Sequence, residues 1–600
     1  MKGIAIGLSN NSKEILKRLK KTEFVKDIYI AGSSKDDGMQ NELIQVQKPR
    51  EILLKKWPEI DLIIFVGSIA ASIRIINSFL TSKDQDPGII VIDNKCSKVI
   101  PLIGLHQSNS QNIAYQIANL LGGEIIETNN SNDQSFLNLD AFGNQWGWKR
   151  SGKIKDWSKL VIKQAKNEEI FCKQSSGNSL WNTSESGAMI NQINEKEIEK
   201  LDSTFHVSIF KNNERNWHPP VLWIGIGCER NTSKELIENS LNNFLESRNL
   251  SQQSIAGFAT IDIKKDEKGI LELSEEKNLP IKFFSKEDLS TIIVPNPSNV
   301  VQNEIGTPSV AEASCLLAAG EESKLLEEKR IFKNQFGAVT IAVAESKNQY
   351  NPTHGEIHII GSGPGDISFL TSNAKKALSR CTVWIGYKMY LDLIKPLKRS
   401  DQVLIKSKLT EEKERCSKAI KLAEEGIKVA LISSGESGFY GMAGLLLELL
   451  QKIKKEYRPY FQVHPGISSV QLAAAISGAP LMNDFCSISL SDKLTPWPLI
   501  EKRIEGALVG DFVIALFNPQ SIERNWQLKS VINRCLQSRH MDTPVLIARE
   551  VGRENQTKKF FTLNTIPFKE IDMLTVIIIG NSQTTLVDEI FLTPRGYLQN

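Results

Sequence analysis

Along the first 127 residues, short apolar runs alternate with amphipathic stretches. The runs are Ile4 to Leu8, Leu62 to Val66 and Ile89 to Ile92; the stretches include Ser12 to Lys20 and Asn112 to Leu121. Such alternation predicts βα units around a parallel sheet. Between 128 and 218 the pattern weakens. Asn, Ser, Lys and Glu accumulate, and Trp146, Trp148, Trp157, Trp181 and Trp217 are scattered among them, which reads as a connecting region with a small or incomplete domain. Alternation resumes with the strand Val221 to Ile226 and continues to Ala344. Residues 345 to 354 are polar, contain a proline and interrupt every periodicity, as a linker does. The organisation expected is therefore 1–127, 128–218, 219–345, a linker at 346–354, and a last domain at 355–600. The fold class is multidomain α/β.

Composition narrows the function more than the fold. A chain of 600 residues with 41% hydrophobic and 24% charged residues has material for several cores. The 73 basic and 69 acidic residues leave a net charge of +4 with no long basic run, so nucleic-acid binding has no electrostatic support. Eight cysteines lie far apart without a CxxC pair, which argues against a structural zinc site or a disulfide framework and for reduced thiols in a cytoplasm. The N-terminus begins as a strand and turn without the features of a secretory signal, and no apolar run approaches the 18 residues a membrane span needs. The expectation is a soluble, cytoplasmic protein with no membrane partner.

The segment 355–378 reads as strand, glycine-rich turn and helix, where backbone N–H groups can meet a ligand. No Lys-Ser/Thr follows to neutralise phosphates, and Asp366 would stand where an anion should sit, so the turn suits a neutral or cationic ligand. Equally, Gly361, Gly363 and Gly365 make a tight turn and Asp366 caps a helix. Four further strand-end loops carry the same signal: Ser434 to Gly441 after the strand Val429 to Ser433, Pro465 to Ser469 after Phe461 to His464, Phe517 to Pro519 after Asp511 to Leu516, and Asp572 to Thr575 before Val576 to Gly580. In an open α/β sheet such loops line one crevice.

The segments GSGPGD (361–366), WIGYKMYLDLI (384–394), SSGESGFYGMAG (433–444), HPGISS (464–469), GAPLMNDFCSISLSDKLTPW (478–497), FNPQS (517–521) and TPRGY (593–597) closely resemble the tetrapyrrole methylase family. Within it they are most similar to the precorrin-3B C17-methyltransferases. Glu436-Ser437 departs from the Asp-Pro more usual there. The resemblance implies a two-lobed α/β methyltransferase that uses S-adenosylmethionine on a tetrapyrrole, usually as a homodimer. The cofactor would lie against Pro364, Gly435, Glu436, Gly438, Tyr440, Ile467, Ser468, Ser469, Phe517, Asn518 and Thr575. Methylation at C17 accompanies ring contraction, with Asp366 or Asp484 as the acid or base. Rim carboxylates of the macrocycle suit arginine forks, for which Arg503, Arg524, Arg549, Arg553 and Arg595 are available, each equally readable as a solvated charge. No metal bound by the protein is expected; cobalt, where present, belongs to the substrate.

In the N-terminal half, Gly225 to Cys228 ends a strand and Gly306 to Glu312 opens a helix, with Thr307 or Ser309 as N-cap and Glu312 completing a capping box. IGIGCERNTSKELI (224–237), ATIDIKKDEKGILELSEE (259–276) and IGTPSVAEASCLLAAG (305–320) resemble the C-terminal domain of cobalt-precorrin-5A hydrolases, which open a lactone on the contracted corrin precursor and release acetaldehyde. FVGSIAASIRIINSFLTSKDQDPGIIVID (65–93) and IPLIGLHQSNSQNIAYQIA (100–118) resemble their N-terminal domain, and LDAFGNQWGWKR (139–150) their central part. Gln107 to Ser110 replaces a glycine-rich segment of that family, and Leu105 replaces a glycine. Lactone opening needs an activated water and a stabilised oxyanion. His106, Glu267 or Glu312 serves the first need, and Arg74, Lys264 or the N–H groups near Gly306 the second. Two other readings stay open: an N-terminal half that binds corrinoids without catalysis, and a methyltransferase of this fold acting on another substrate.

Overall fold

The apolar runs at the N-terminus are buried on both faces, as strands of a helix-covered parallel sheet must be. Gly3–Gly7, Leu62–Val66 and Gly88–Ile92 are buried at every residue. They form the centre of a seven-stranded sheet ordered Gln45–Val46, Asp27–Ile30, Gly3–Gly7, Leu62–Val66, Gly88–Ile92, Lys98–Ile103 and Glu124–Ile125. Neighbours run parallel except Gly88–Ile92 and Lys98–Ile103. Helices Lys13–Lys20 and Ser110–Leu121 bury Leu16, Leu19, Ile113 and Ile117 against one face. The computed structural model describes residues 2–22, 24–32, 44–81, 86–104, 110–126, 136–193, 201–211, 215–335, 337–521 and 523–597. It divides into two units, Met1–Tyr350 and Asn351–Asn600.

Where the periodicity weakens, aromatic residues replace aliphatic runs. Asn191–Gln192, Phe171–Gln174, Thr204–Val207, Asn216–His218 and Lys149–Ser151 form a five-stranded sheet in that order, each strand too short to display a period of two. The tryptophans scattered in sequence converge on it. Phe142 meets Trp148, Trp181, Phe205 and Trp217 with ring centroids 5.9, 5.0, 5.7 and 5.6 Å away. Four buried indole N–H groups find acceptors, as burial favours: Trp148 donates to Gln349 Oε1 (2.6 Å), Trp157 to Ser151 O (2.8 Å), Trp181 to Gln174 Oε1 (2.8 Å) and Trp217 to Leu139 O (3.1 Å).

The polar stretch expected as a linker is packed rather than free. Ser346 and Gln349 are buried, Gln349 also donating to Trp146 O (2.6 Å), and the Tyr350 ring lies 5.2 Å from that of Trp223. On the other side of the division, Asn351 N–H donates to Glu424 O (2.8 Å). These side chains are polar because they bond, which hydropathy alone does not reveal.

The third sheet is ordered Ile281–Phe284, Ile255–Ile261, Leu222–Cys228, Gly337–Glu345 and Lys324–Asn334. Its first three strands are parallel and the last two form an antiparallel hairpin. Helix Ala311–Ala319 lies against it where Gly225 has no side chain: a Cβ there would stand 1.8 Å from Ala311 O.

The C-terminal unit has the two lobes expected. One is the fully parallel sheet Val403–Ser407, Val383–Tyr387, Lys428–Ser433, Glu356–Gly361 and Tyr460–His464. The other is the mixed sheet Phe485–Ser489, Val513–Phe517, Thr575–Ile579, Pro544–Arg549 and Thr557–Thr562.

Trp217 fills the centre of the aromatic core and is wholly buried. Trp217→Ala is expected to destabilise the central sheet by about 3–5 kcal/mol, seen as an earlier midpoint in denaturant unfolding followed by tryptophan fluorescence. An unchanged midpoint would show that this core contributes little.

Candidate functional site

In the C-terminal unit, three loops at the carboxyl ends of adjacent parallel strands meet backbone to backbone. Gly363 N–H donates to Gly435 O (3.1 Å) and Gly435 N–H returns the bond to Gly363 O (2.9 Å). A Cβ on Gly466 would lie 2.0 Å from Gly435 O, and one on Gly361 would lie 2.6 Å from Gly466 N. Gly363 and Gly435 also have φ of +74° and +62°, which side chains disfavour. Only glycine permits this approach. Ser468 caps helix Ser469–Ser477 and forms a capping box with Gln471, holding the third loop in place.

Aromatic rings join this set to the second lobe. Tyr440, held at φ +56°, places its ring 5.4 Å from that of Phe517 and donates its hydroxyl to Ser487 O (2.9 Å). Phe439 lies 5.2 Å from Phe517. Asn518 donates to Ser489 Oγ (3.0 Å), and Glu436 accepts from Gly438 N–H (2.7 Å). Pro364 rests on Gly552, whose Cβ would stand 2.9 Å from the proline ring. The structure thus brings Pro364, Gly435, Glu436, Gly438, Tyr440, Ile467, Ser468, Phe517 and Asn518 to one rim. Thr575 is buried and donates to Asp572 Oδ1 (2.9 Å), on the second lobe.

The two acid–base candidates lie in different surroundings. Asp366 is exposed and caps the short turn Ile367–Phe369, accepting from Ser368 N–H (2.7 Å), and that bonding lowers its pKa. The α-helix begins only at Ser372, so the turn does not open directly into it. Asp484 sits at the amino end of strand Phe485–Ser489, while Ser489 and Asn518 are at the carboxyl end. A five-residue strand separates them by roughly 16 Å, so Asp484 is not at the crevice.

The five arginines divide by environment. Arg549 is paired with Asp572 (2.9 Å) and Glu550 (2.5 Å). Arg503 and Arg595 are exposed. Arg553 reaches Pro364 O (3.4 Å) and Met389, beside a cavity of about 430 Å³ lined by Tyr387, Lys388, Met389, Asp392 and Leu393. Arg524 is buried, donates to Met573 Sδ (3.2 Å) and leaves Nη1 without a partner.

Sequence reasoning overlooked a buried chain behind the third loop. His464 Nε2 lies 2.9 Å from His358 Nδ1, and His358 Nε2 lies 2.9 Å from Glu356 Oε2. Arg380 and Lys428 hold the other carboxylate oxygen. Burial alone would raise the Glu356 pKa, but His358 and the two cations outweigh it and bring it to about 2. With that carboxylate ionised, His358 donates to it through Nε2. The signal in sequence was a histidine in the middle of the apolar strand Glu356–Gly361.

In the N-terminal unit, Lys264 and Glu267 do meet. They are buried and 3.1 Å apart, and Glu267 also accepts from Asn231 N–H (2.8 Å). Both partners of this carboxylate belong to the chain itself. Glu312 is elsewhere bonded, accepting from Lys329 N–H (3.1 Å) and Asn296 (3.0 Å) through Oε1, while Oε2 is buried without a partner. The capping expectation fails: helix Ala311–Ala319 has Val310 at its N-cap, and the Ser309 hydroxyl is buried and unpartnered. Gly306, at φ +85°, ends the preceding helix Asn299–Ile305, so 306–309 joins two helices. Arg74 is exposed. His106 lies outside the described residues.

Together these features give the C-terminal unit two α/β lobes with a glycine-built rim at strand carboxyl ends. Family models match in three places: Cobalamin synthesis G N-terminal over residues 51–132, Cobalamin synthesis G C-terminus over 222–344, and Tetrapyrrole (Corrin/Porphyrin) Methylases over 356–567. A "Probable cobalt-factor III C(17)-methyltransferase" of Salmonella typhimurium is 44% identical over 241 residues, covering 40% of this chain and 99% of that protein. The chain belongs to the tetrapyrrole methylase family, and cobalamin synthesis G domains precede its methylase part. A "Cobalt-factor III methyltransferase" of Priestia megaterium is 44% identical over 245 residues, 40% of this chain, which spans about half (45%) of that relative. A crystal structure of the methyltransferase CobJ is 33% identical with a TM-score of 0.38, covering 40% of this chain and 100% of that one. Among the described residues no helix is long and apolar enough to cross a membrane.

Burial, and next the neighbouring His358, lower the His464 pKa to about 4 from 6.5. Its folded value is below the unfolded one, so as pH falls from 6.5 to 4 the unfolded chain gains protons first and stability drops. Glu356 extends the same loss from 4.5 toward 2. The thermal midpoint of the C-terminal unit is expected to fall on acidification below pH 6.5, with a shallower slope in His464→Gln; equal slopes would show that His464 titrates normally.

Proposed function

We propose that the C-terminal unit transfers a methyl group from S-adenosylmethionine to C17 of precorrin-3B or cobalt-precorrin-3 with ring contraction. The N-terminal half opens the cobalt-precorrin-5A lactone with release of acetaldehyde. The observation that carries the first activity is the glycine-built crevice, present in a chain 44% identical along nearly the whole of a relative named as a C17-methyltransferase. That relative and the Priestia one are both named for cobalt-factor III, which favours a substrate already holding cobalt.

The residues present fit the cofactor. The loops 361–366, 433–441 and 464–469 offer backbone groups, a half-buried carboxylate at Glu436 and no Lys or Arg, the surface for a cationic sulfonium and an adenosine rather than for phosphates. When bound, S-adenosylmethionine supplies the electrophilic methyl group. Gly435, Ile467 and Ser468 would hold it, Tyr440 and Phe517 would exclude water, and in-line positioning is the protein's main contribution. Arg524 is the arginine best placed to receive a macrocycle carboxylate, because it is the buried one whose guanidinium is incompletely bonded.

We place the protein in the cytoplasm, where its eight unpaired cysteines would stay reduced. A homodimer through the methylase part is supported by the exposed apolar edge strand Tyr460–His464, with Tyr460 56% and Phe461 40% exposed. Light scattering giving one chain per particle would remove it.

Incubation with S-adenosylmethionine and cobalt-bearing or metal-free precursor should yield a product one methyl group heavier, read by mass. No mass gain with either precursor would overturn the methyltransferase reading. Gly466→Ala should weaken S-adenosylmethionine binding by at least ~10-fold, about 1.4 kcal/mol, in calorimetric titration, since its Cβ meets Gly435 O.

A further inference from the structure

Strand Lys149–Ser151 pairs antiparallel with Asn216–His218, setting Ser151 opposite Asn216 and His218 opposite Lys149. Ser151 and His218 are therefore diagonal neighbours on one face. Ser151 Oγ lies 2.8 Å from His218 Nε2, and His218 Nδ1 lies 3.0 Å from Ser208 O. A carbonyl can only accept, so Nδ1 carries the ring proton and Nε2 the lone pair. The hydroxyl of Ser151 must then donate to Nε2. This is the tautomer and the geometry by which a histidine takes a proton from a serine nucleophile.

Three further features surround the pair. Ser151 ends a strand, Gly152 follows at φ +94°, and helix Ile154–Ala165 begins immediately after with no side chain capping it. A serine on such a strand–turn–helix corner is presented to a substrate, and although Asp156 N–H is bonded to Lys153 O (3.0 Å), the N–H groups of Ile154 and Lys155 in this first turn are placed to meet an oxyanion. His218 is 1% exposed whereas Ser151 is only half-buried, so the nucleophile is reachable and its base is shielded. Asn216, across from Ser151, bonds through Nδ2 to Ser208 Oγ (2.9 Å) and Phe210 O (3.0 Å), while its Oδ1 is buried without a donor. That acceptor is suited to orient a water.

We propose that Ser151 and His218 are a nucleophile–base pair for acyl transfer from an ester. Resting on the hydrolase reading given above, the ester is the lactone of the contracted macrocycle. Ser151 Oγ bonds to the lactone carbonyl carbon as its proton passes to His218 Nε2. The ring C–O bond breaks, and that proton goes to the departing alkoxide. A water then attacks the acyl carbon and gives a proton to Nε2; Oγ departs and takes it back. One water is consumed and the serine is regenerated. None of the family models matched covers this segment, which lies between 132 and 222.

A fluorophosphonate probe tests the pair without any corrin. Incubated with the full chain, it should phosphonylate Ser151, mapped by peptide mass, with no adduct in Ser151→Ala and labelling slowed at least ~100-fold in His218→Gln. Burial holds the imidazole pKa at about 4, with the Ser208 carbonyl opposing, so the acid limb of labelling should lie near that value rather than 6.5. Near-ultraviolet tryptophan signals matching the wild type certify folding of both variants. Absence of a Ser151 adduct in the wild type overturns the pair. With the lactone substrate, Ser151→Ala should lose acetaldehyde release at least ~100-fold while methyl transfer continues. Wild-type acetaldehyde release by Ser151→Ala would keep the hydrolase reading and remove the dyad from it. A Ser151 adduct in protein that releases no acetaldehyde would keep the dyad and remove the lactone.

Discussion

The crevice of the C-terminal unit depends on backbone meeting backbone. Gly361 and Gly466 bring strand-end loops closer than any side chain allows, Gly363 and Gly435 hold positive φ, and the paired bonds between the latter two satisfy peptide groups that would otherwise be buried unbonded. The rest follows from that contact. The loops cannot separate without losing those bonds, so the residues just beyond them, Pro364, Glu436 and Ser468, have fixed places around one opening. Methyl transfer from a reactive sulfonium calls for placement more than for acid or base, and a rim built of backbone supplies placement with little conformational freedom left to lose.

Electrostatics explain which polar groups are structural. Asp366 is a cap, Arg549 is answered by Asp572 and Glu550, and Glu267 is answered by Lys264 and Asn231. Each is satisfied, and a satisfied charge gains nothing from a ligand. Among the buried polar groups left incomplete are Arg524 Nη1, Glu312 Oε2 and Asn216 Oδ1. An unpaired buried polar atom costs stability, so such atoms mark places where a partner other than the chain belongs.

Much of the fold was legible in sequence because strands buried on both faces read as apolar runs. Leu62 to Val66 is such a run and is a central strand. The crevice was legible because small residues recur just after such runs. What stayed hidden needs three dimensions. Asp484 stands near motif residues in sequence but at the wrong end of its strand. Ser309 resembled a cap until Gly306 ended one helix and Val310 began the next. The central sheet was hidden because its strands are short and its core consists of aromatic rings brought from distant positions, for which no window of sequence has a period.

That same sheet bears on how the N-terminal half would work. In its cobalamin synthesis G C-terminal domain, two of the charged groups that sequence pointed to, Lys264 and Glu267, are consumed by one another. Breaking a buried ion pair to free a base costs several kcal/mol, a poor starting point for attack on an ester. A neutral pair has no such cost. Ser151 and His218 are already hydrogen-bonded in the reactive sense, and the burial that makes His218 a weak base also keeps its lone pair unprotonated at neutral pH. A lactone is an activated ester, and a weak base held in place suffices where the proton has only one route to travel.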